Sequence, residues 1–272
     1  MKIDKLYMFD QDKDAYLITY IRDNPPEMSN DPRRALLICP GGGYEWTSDR
    51  EAEPVALQFL ARGYNVFVLK YSIGKMASEL RPLCEVALSV KHIREHAEEY
   101  NINPQKLYVL GFSAGGHLAC SSGVYWNHES VQKALGNPEN PMICRPDAMI
   151  LCYPVITATC PTHLGTLQNF CGTSEPNKSL LNLFSLDLHV NETTPPSFIW
   201  HTENDDAVPV QNSKNFALAL EQNGIDHELV LFPDGHHGLS LATSETCKEL
   251  TEDSPHPCSV WIDLADKWIK NL

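Results

Sequence analysis

The residues best placed to do chemistry surround one serine. Ser113 stands in Gly111-Phe112-Ser113-Ala114-Gly115, after the apolar run Leu107 to Leu110 and before a helix-favouring stretch. Nucleophilic chemistry needs a hydroxyl projected from a tight strand-to-helix turn. Glycines two residues to either side leave room for such a turn, and the helix N-terminus aims its N–H groups at the reacting centre. Taken alone, the string is also compatible with an ordinary glycine-rich turn. The near match Gly238-Leu239-Ser240-Leu241-Ala242 lacks the final glycine and a preceding strand, and reads as chance.

A serine hydroxyl is a weak nucleophile until a base takes its proton, and the base needs an orienting acid. Downstream, Thr202-Glu203-Asn204-Asp205-Asp206-Ala207-Val208-Pro209 forms a loop between a strand and a helix, and Asp205 is the preferred acid. Asp206 is the alternative, with capping of the following helix as its other reading, and Glu203 is a weaker third. Pro233-Asp234-Gly235-His236-His237-Gly238 follows the next strand and offers the base. His237 is preferred because Gly238 behind it frees the loop backbone, with His236 as the alternative. The chain order Ser, Asp, His is one in which these partners recur.

Acyl transfer also needs donors for a tetrahedral oxyanion, each worth about 2.7–4 kcal/mol. Pro40-Gly41-Gly42-Gly43-Tyr44, directly after the strand Ala35 to Cys39, lets backbone amides approach without a Cβ in the way. Beside the serine turn it reads as an oxyanion loop, with Gly42, Gly43 and the N–H of Ala114 as donors. Other clusters read as structural. His92 and His96 have metal-ligand spacing without the Glu of H-E-x-x-H, and read as a solvated helix face. His117 reads as a packing or hydrogen-bonding residue. Asp10, Asp12 and Asp14 open like a calcium loop but lack its glycine and closing glutamate, and read as a polar turn.

These residues need a scaffold that brings distant loops to one edge. Apolar strands alternate with amphipathic helices, the signature of a mostly parallel sheet covered on both faces. Strands are expected at 35–39, 64–71, 107–110, 148–153, 197–201 and 229–232. Helices are expected at 51–62, from Pro82 through Ala97, and at 114–124, 209–223 and 260–272, the last burying Trp261, Leu264, Trp268 and Leu272 on one side. Between Pro154 and Pro196 the alternation breaks, and this stretch reads as an irregular cap over the carboxyl edge of the sheet, where substrate is selected. No repeat or linker divides the chain, so 1–272 reads as one domain.

Composition narrows the class. The 272 residues carry 21 Lys+Arg against 35 Asp+Glu, a net charge of −14, with no basic block, so neither nucleic acid nor an acidic membrane surface is an expected partner. Hydrophobic residues at 43% and charged residues at 21% are ordinary globular usage, which argues against disorder and coiled coil. No apolar run approaches the ~20 residues of a membrane span, and charges interrupt the N-terminal apolar pairs, so no leader of the usual form is read. The nine cysteines form no C-x-x-C pair and read as free thiols of a cytoplasmic protein, where the sequons at Asn177 and Asn191 carry no meaning.

Six segments together resemble a known family: Pro40 to Tyr44, Ser48-Asp-Arg-Glu-Ala-Glu-Pro54, Gly111-Phe-Ser-Ala-Gly-Gly-His-Leu-Ala119, Trp200-His-Thr-Glu-Asn-Asp205, Val208-Pro-Val-Gln-Asn212 and Gly235 to Gly238. They are similar to the small acetyl esterases of the hormone-sensitive-lipase-like branch of α/β-hydrolases, a group often labelled acetyl xylan esterase or feruloyl/acetyl esterase. The similarity runs in register from about residue 33 to the C-terminus. It implies an α/β-hydrolase fold with a short cap and a serine carboxylesterase with Ser113 as nucleophile, Asp205 as acid and His237 as base. Gly42, Gly43 and Ala114 would form the oxyanion hole, and neither metal nor organic cofactor is called for. The implied substrate is a small-molecule ester, an acetylated sugar or xylo-oligosaccharide. Pro40 stands where many relatives carry the His of His-Gly-Gly-Gly, which removes a bracing side chain but none of the N–H donors. The rival functions are a serine hydrolase of another class, such as a peptidase, formamidase or lipase, and a non-catalytic binding protein on the same fold.

Overall fold

The computed structural model describes residues 1–9 and 13–272. Eight strands form one sheet: β1 (Lys2–Leu6), β2 (Tyr16–Ile21), β3 (Arg33–Cys39), β4 (Asn65–Lys70), β5 (Ile102–Phe112), β6 (Ala148–Cys152), β7 (Ser197–Thr202) and β8 (His227–Phe232). Their spatial order is β1-β2-β4-β3-β5-β6-β7-β8. The pairings β1–β2 and β2–β4 are antiparallel and the remainder parallel. All six expected strands are present, some longer than expected. The N-terminal pair β1 and β2 is additional, and extends the sheet on the β4 side.

The described residues hold eight α-helices: α1 (Glu53–Ala61), α2 (Arg81–Glu95), α3 (Ser113–Val124), α4 (Glu129–Ala134), α5 (Leu164–Cys171), α6 (Lys178–Phe184), α7 (Gln211–Gln222) and α8 (Trp261–Asn271). Alternation along each strand feeds two cores. On β3, Ala35, Leu37 and Cys39 join one core with Leu83, Val86 and Val90 of α2, Leu118 of α3 and Phe216 of α7. Leu36 and Ile38 join the other with Val55 and Phe59 of α1 and Trp261, Ala265 and Ile269 of α8. A period of two in the strand meeting a period near 3.6 in the helices produces this layering.

Several expected boundaries need correction. Residues Asp49–Glu51 form a 3₁₀ turn ahead of α1, so Glu51 precedes the helix and is buried. α2 ends at Glu95, leaving Ala97 beyond it. The buried stripe of α8 is Trp261, Ile262, Ala265 and Ile269, while Leu272 is exposed. The 154–196 stretch is more regular than expected, holding α5, α6 and a 3₁₀ turn at Leu186–His189. Asn177, read as an incidental sequon, caps α6 by accepting from the Leu180 amide at 3.0 Å. Asp10 and Asp12 lie outside the described residues.

Trp261 anchors α8. Its indole stacks on Trp200 at 5.5 Å and 19°, meets Phe112 edge-on at 5.9 Å, and donates through Nε1 to the Ser240 carbonyl at 2.9 Å. Trp261→Ala removes a fully buried indole and leaves that carbonyl without its donor. It is expected to lower the unfolding free energy by about 3–5 kcal/mol, read from the shift of a urea transition at unchanged slope.

Candidate active site

β5 runs directly into α3, and Ser113 is the junction, with φ +52°. A non-glycine residue held in the left-handed region is strained, and persists where surrounding packing fixes it. That packing explains both flanking glycines. A Cβ on Gly111 would lie 2.0 Å from the Gly115 carbonyl oxygen, and one on Gly115 would lie 2.1 Å from that of Cys39. The turn therefore closes with helix and strand backbones in direct contact.

The glycine loop leaves β3 beside it. Gly42 has φ +129°, and its missing Cβ would collide with the Trp46 carbonyl at 2.2 Å. The loop turns there, with the Trp46 amide donating to the Gly42 carbonyl at 3.1 Å. The Gly41 amide donates to Glu51 Oε2 at 2.8 Å, so it is committed. Gly42 and Gly43 line the same cleft as Ser113, and among the described residues their amides have no protein acceptor. The Pro40 carbonyl accepts from Tyr71 Oη at 2.5 Å, and the Gly43 carbonyl accepts from Asn169 Nδ2 of α5 at 2.9 Å.

Two further loops complete the edge, after β7 and after β8. His237 Nδ1 lies 2.7 Å from Asp205 Oδ2, and His237 Nε2 lies 2.8 Å from Ser113 Oγ. The carboxylate fixes the tautomer: Nδ1–H donates to Asp205, which leaves the Nε2 lone pair to accept the serine proton. Asp205 Oδ1 accepts from the amides of Ala207 and Val208 at 2.9 and 2.7 Å, and His201 Nε2 lies 3.3 Å from Oδ2. Burial works against ionisation of Asp205. The hydrogen bonds from His201 and His237, the charge of His237 and the Val208 amide outweigh it and hold the carboxyl well below the usual carboxylate range.

The alternatives from sequence fall elsewhere. Asp206 does not cap α7, whose N-cap is Val210; its Oδ1 accepts from the His237 amide at 2.9 Å and so braces the histidine loop. Glu203 pairs with Lys214 at 3.0 Å. His236 turns away to Glu249 at 2.6 Å. His117 is buried, placing Nε2 3.0 Å from the Phe184 carbonyl and Nδ1 3.0 Å from Tyr44 Oη, and burial lowers its pKa to about 4. His92 and His96 are half-buried rather than solvated, their rings 4.0 Å apart beside Tyr100. Ser240 donates its hydroxyl to the Arg50 carbonyl.

Sequence reasoning missed Glu51 and Tyr153. Glu51 is buried at the cleft floor, where Oε1 accepts from Tyr153 Oη at 2.6 Å. Tyr153 Oη accepts in turn from the Ser240 amide at 2.9 Å, and the tyrosine ring meets the His237 imidazole edge-on at 5.0 Å. Burial pushes the Glu51 carboxyl upward, opposed by hydrogen bonds from Tyr153 and Gly41 and by the charge of His237. The signal was the acidic residue standing between a glycine loop and a helix start, but a charged run there reads equally as a surface turn. The cap contributes His163, which lines the cleft beside Gly43. The cleft measures about 340 Å³.

A hydroxyl, an imidazole and a carboxylate brought together next to uncommitted amides, at the carboxyl edge of a largely parallel sheet flanked by helices, make this an α/β-hydrolase. Within that class the chain belongs to the BD-FAE family, whose model matches residues 24–220. It is 41% identical over 217 residues to endo-1,4-beta-xylanase B of Butyrivibrio fibrisolvens, covering 78% of this chain and 33% of that protein. It is 29% identical over 237 residues to the acetylxylan esterase of Xylanibacter ruminicola, covering 85% of this chain and 45% of that one. The chain thus spans a third to under half the length of these relatives. Among solved structures it resembles an acetyl ester-xyloside bifunctional hydrolase from Caldicellulosiruptor lactoaceticus, at 33% identity and a TM-score of 0.83 over 98% of this chain and 96% of that one. Among the described residues, no helix is long and apolar enough to cross a membrane.

The depressed pKa of Asp205 sets a pH signature. Its stabilisation is fully present above the ordinary carboxylate range near ~3.9, and is lost as pH falls through the depressed folded-state value. Asp205→Asn is therefore expected to be less stable than the parent at pH 7, with the gap narrowing as pH falls from about 5 toward 2. Denaturant titrations of both proteins across that range check it; a constant gap would remove the ionic contribution.

Proposed function

We propose that the protein is a serine carboxylesterase that removes short acyl groups, acetyl above all, from sugar or xylo-oligosaccharide hydroxyls. The observation that carries this reading is His237 bridging Ser113 and Asp205 at 2.8 and 2.7 Å. In this mechanism His237 Nε2 takes the Ser113 proton as Oγ bonds to the ester carbonyl carbon. The resulting imidazolium is stabilised by Asp205, which stays ionised. The carbonyl oxygen, now an alkoxide, is held by the amides of Gly42, Gly43 and Ala114. Collapse breaks the bond to the alcohol, which leaves with the proton from His237 and an acyl group on Ser113. Water, deprotonated by the same histidine, then releases the acid and restores the serine.

The sugar part of the reading is supported by the acetylxylan esterase and the acetyl ester-xyloside hydrolase among the similar proteins. The short-acyl part is supported by the modest cleft. Hydrolysis of p-nitrophenyl acetate is expected to exceed that of the octanoate ester and to vanish in Ser113→Ala. Asp205→Asn is expected to lower kcat by about 10⁴-fold, because the imidazole then adopts the wrong tautomer. Acetate release from acetylated xylo-oligosaccharides checks the sugar. Retained activity in Ser113→Ala, or cleavage of amide or formamide substrates in place of esters, would overturn the reading.

A further inference from the structure

Trp46 is placed where apolar surface is hardest to justify by folding alone. It is 54% exposed, while the other four tryptophans of the chain are buried or half-buried. An indole left in water forgoes a large apolar contribution and suits a surface that meets a ligand. Its position is fixed. The Trp46 amide is bound to the Gly42 carbonyl, and ring atom Cδ2 lies 3.1 Å from where a Gly42 Cβ would stand. The indole therefore rests on the bare glycine of the loop after β3, in the wall of the cleft that holds Ser113 and His237.

Two polar groups share that wall. Ser48 is 3% exposed, and its hydroxyl is buried with no hydrogen-bond partner among the described residues. Its backbone is locked by the amide donating to the Gly41 carbonyl at 2.9 Å, which holds an unpartnered hydroxyl in the lining of the cleft. His163 Nδ1 accepts from the Thr166 amide at 3.2 Å, which puts the proton of the neutral ring on Nε2. Burial, and after it the charge of nearby His237, lowers its pKa and keeps it neutral at pH 7. An aromatic plate, a hydroxyl and an N–H donor together match a carbohydrate ring, which offers C–H groups on its faces and hydroxyls around its edge. A simple aliphatic alcohol offers no such face.

We infer that Trp46, Ser48 and His163 form the subsite for the sugar ring that carries the ester, with Trp46 as its stacking platform. This rests on the ester hydrolysis proposed above. The subsite sets which alcohol is released, and the Ser113 relay performs the chemistry on whatever ester is presented.

The test compares kcat/KM for an acetylated methyl xyloside and for ethyl acetate in the parent, Trp46→Ala, Trp46→Phe and Ser48→Ala. Trp46→Ala is expected to lose about tenfold more on the sugar ester than on ethyl acetate, chiefly through KM. Trp46→Phe restores most of that difference, and Ser48→Ala loses about threefold to tenfold more on the sugar ester. Equal losses on both substrates overturn the subsite. A second measurement does not depend on turnover: calorimetric binding of the acetylated xyloside to Ser113→Ala, with and without Trp46→Ala, expected to differ by about tenfold. If the parent hydrolyses neither ester while that binding difference holds, the esterase reading fails and the subsite stands. If turnover is robust and binding is indifferent to Trp46, the subsite fails and the esterase stands.

Discussion

A carboxylate enclosed by protein, Glu51, ties together the loops on which this site depends. Burying such a group is costly unless its oxygens are matched. Here one oxygen takes the Gly41 amide and the other the Tyr153 hydroxyl. The chain of bonds continues from Tyr153 to the Ser240 amide, and from the Ser240 carbonyl to the Trp261 indole. The glycine loop after β3, the end of β6, the segment following His237 and the C-terminal helix α8 are thus held in one polar network inside an apolar core. Removing one member leaves the others buried and unpaired, so the network holds or fails as a unit. Positions within about 0.5 Å are what a reacting constellation needs, and a closed network supplies that where loops alone would not.

Strain is concentrated at the same edge. Tyr44, Ser113, Tyr153 and Ser240 all have positive φ without being glycine. Tyr44, Tyr153 and Ser240 sit on segments that the Glu51 network joins, and Ser113 on the neighbouring junction of β5 and α3. The Tyr44 hydroxyl meets His117, the Ser113 carbonyl accepts from the Val155 amide at 3.1 Å, and the Tyr153 amide donates to the Trp200 carbonyl at 2.7 Å. Strained backbone held by its surroundings is one way a fold stores preorganisation, and here it aims Oγ of Ser113 at Nε2 of His237.

Much of this was legible in the sequence, for identifiable reasons. The central strands are continuous apolar runs because both faces are covered, and such runs stand out. Ser113, Asp205 and His237 sit in short loops bounded by glycine and proline and stand out by local context, with Asp206, Glu203 and His236 left as alternatives beside them. β1 was not legible, since Lys2, Asp4 and Lys5 break its pattern in an exposed edge strand. α5 and α6, at eight and seven residues, are too short for a helical period to emerge; of their caps, His163 carries no signal in the sequence and Asn177 reads as a sequon. Glu51 was hidden by its company. In Ser48-Asp-Arg-Glu-Ala-Glu-Pro54 the charges at 49 and 50 are exposed and the one at 51 is buried, and only the sharp turn at Ala52, with φ −108° and ψ −103°, rotates it inward.

The two halves of the site are built from different material. The relay and the glycine loop rest on strand ends and on the Glu51 network, where any change is felt through many bonds. At Pro40 and Gly43 the loop is held by its carbonyls, which accept from Tyr71 and Asn169. The cleft wall beside the relay carries the Trp46 side chain, half exposed over Gly42, and His163, which caps a short helix. Neither Trp46 nor His163 takes part in the hydrogen bonds among Ser113, His237 and Asp205. If the proposed roles hold, selection and reaction are carried by different residues, and the wall can vary while the hydrogen bonds at Ser113 are kept.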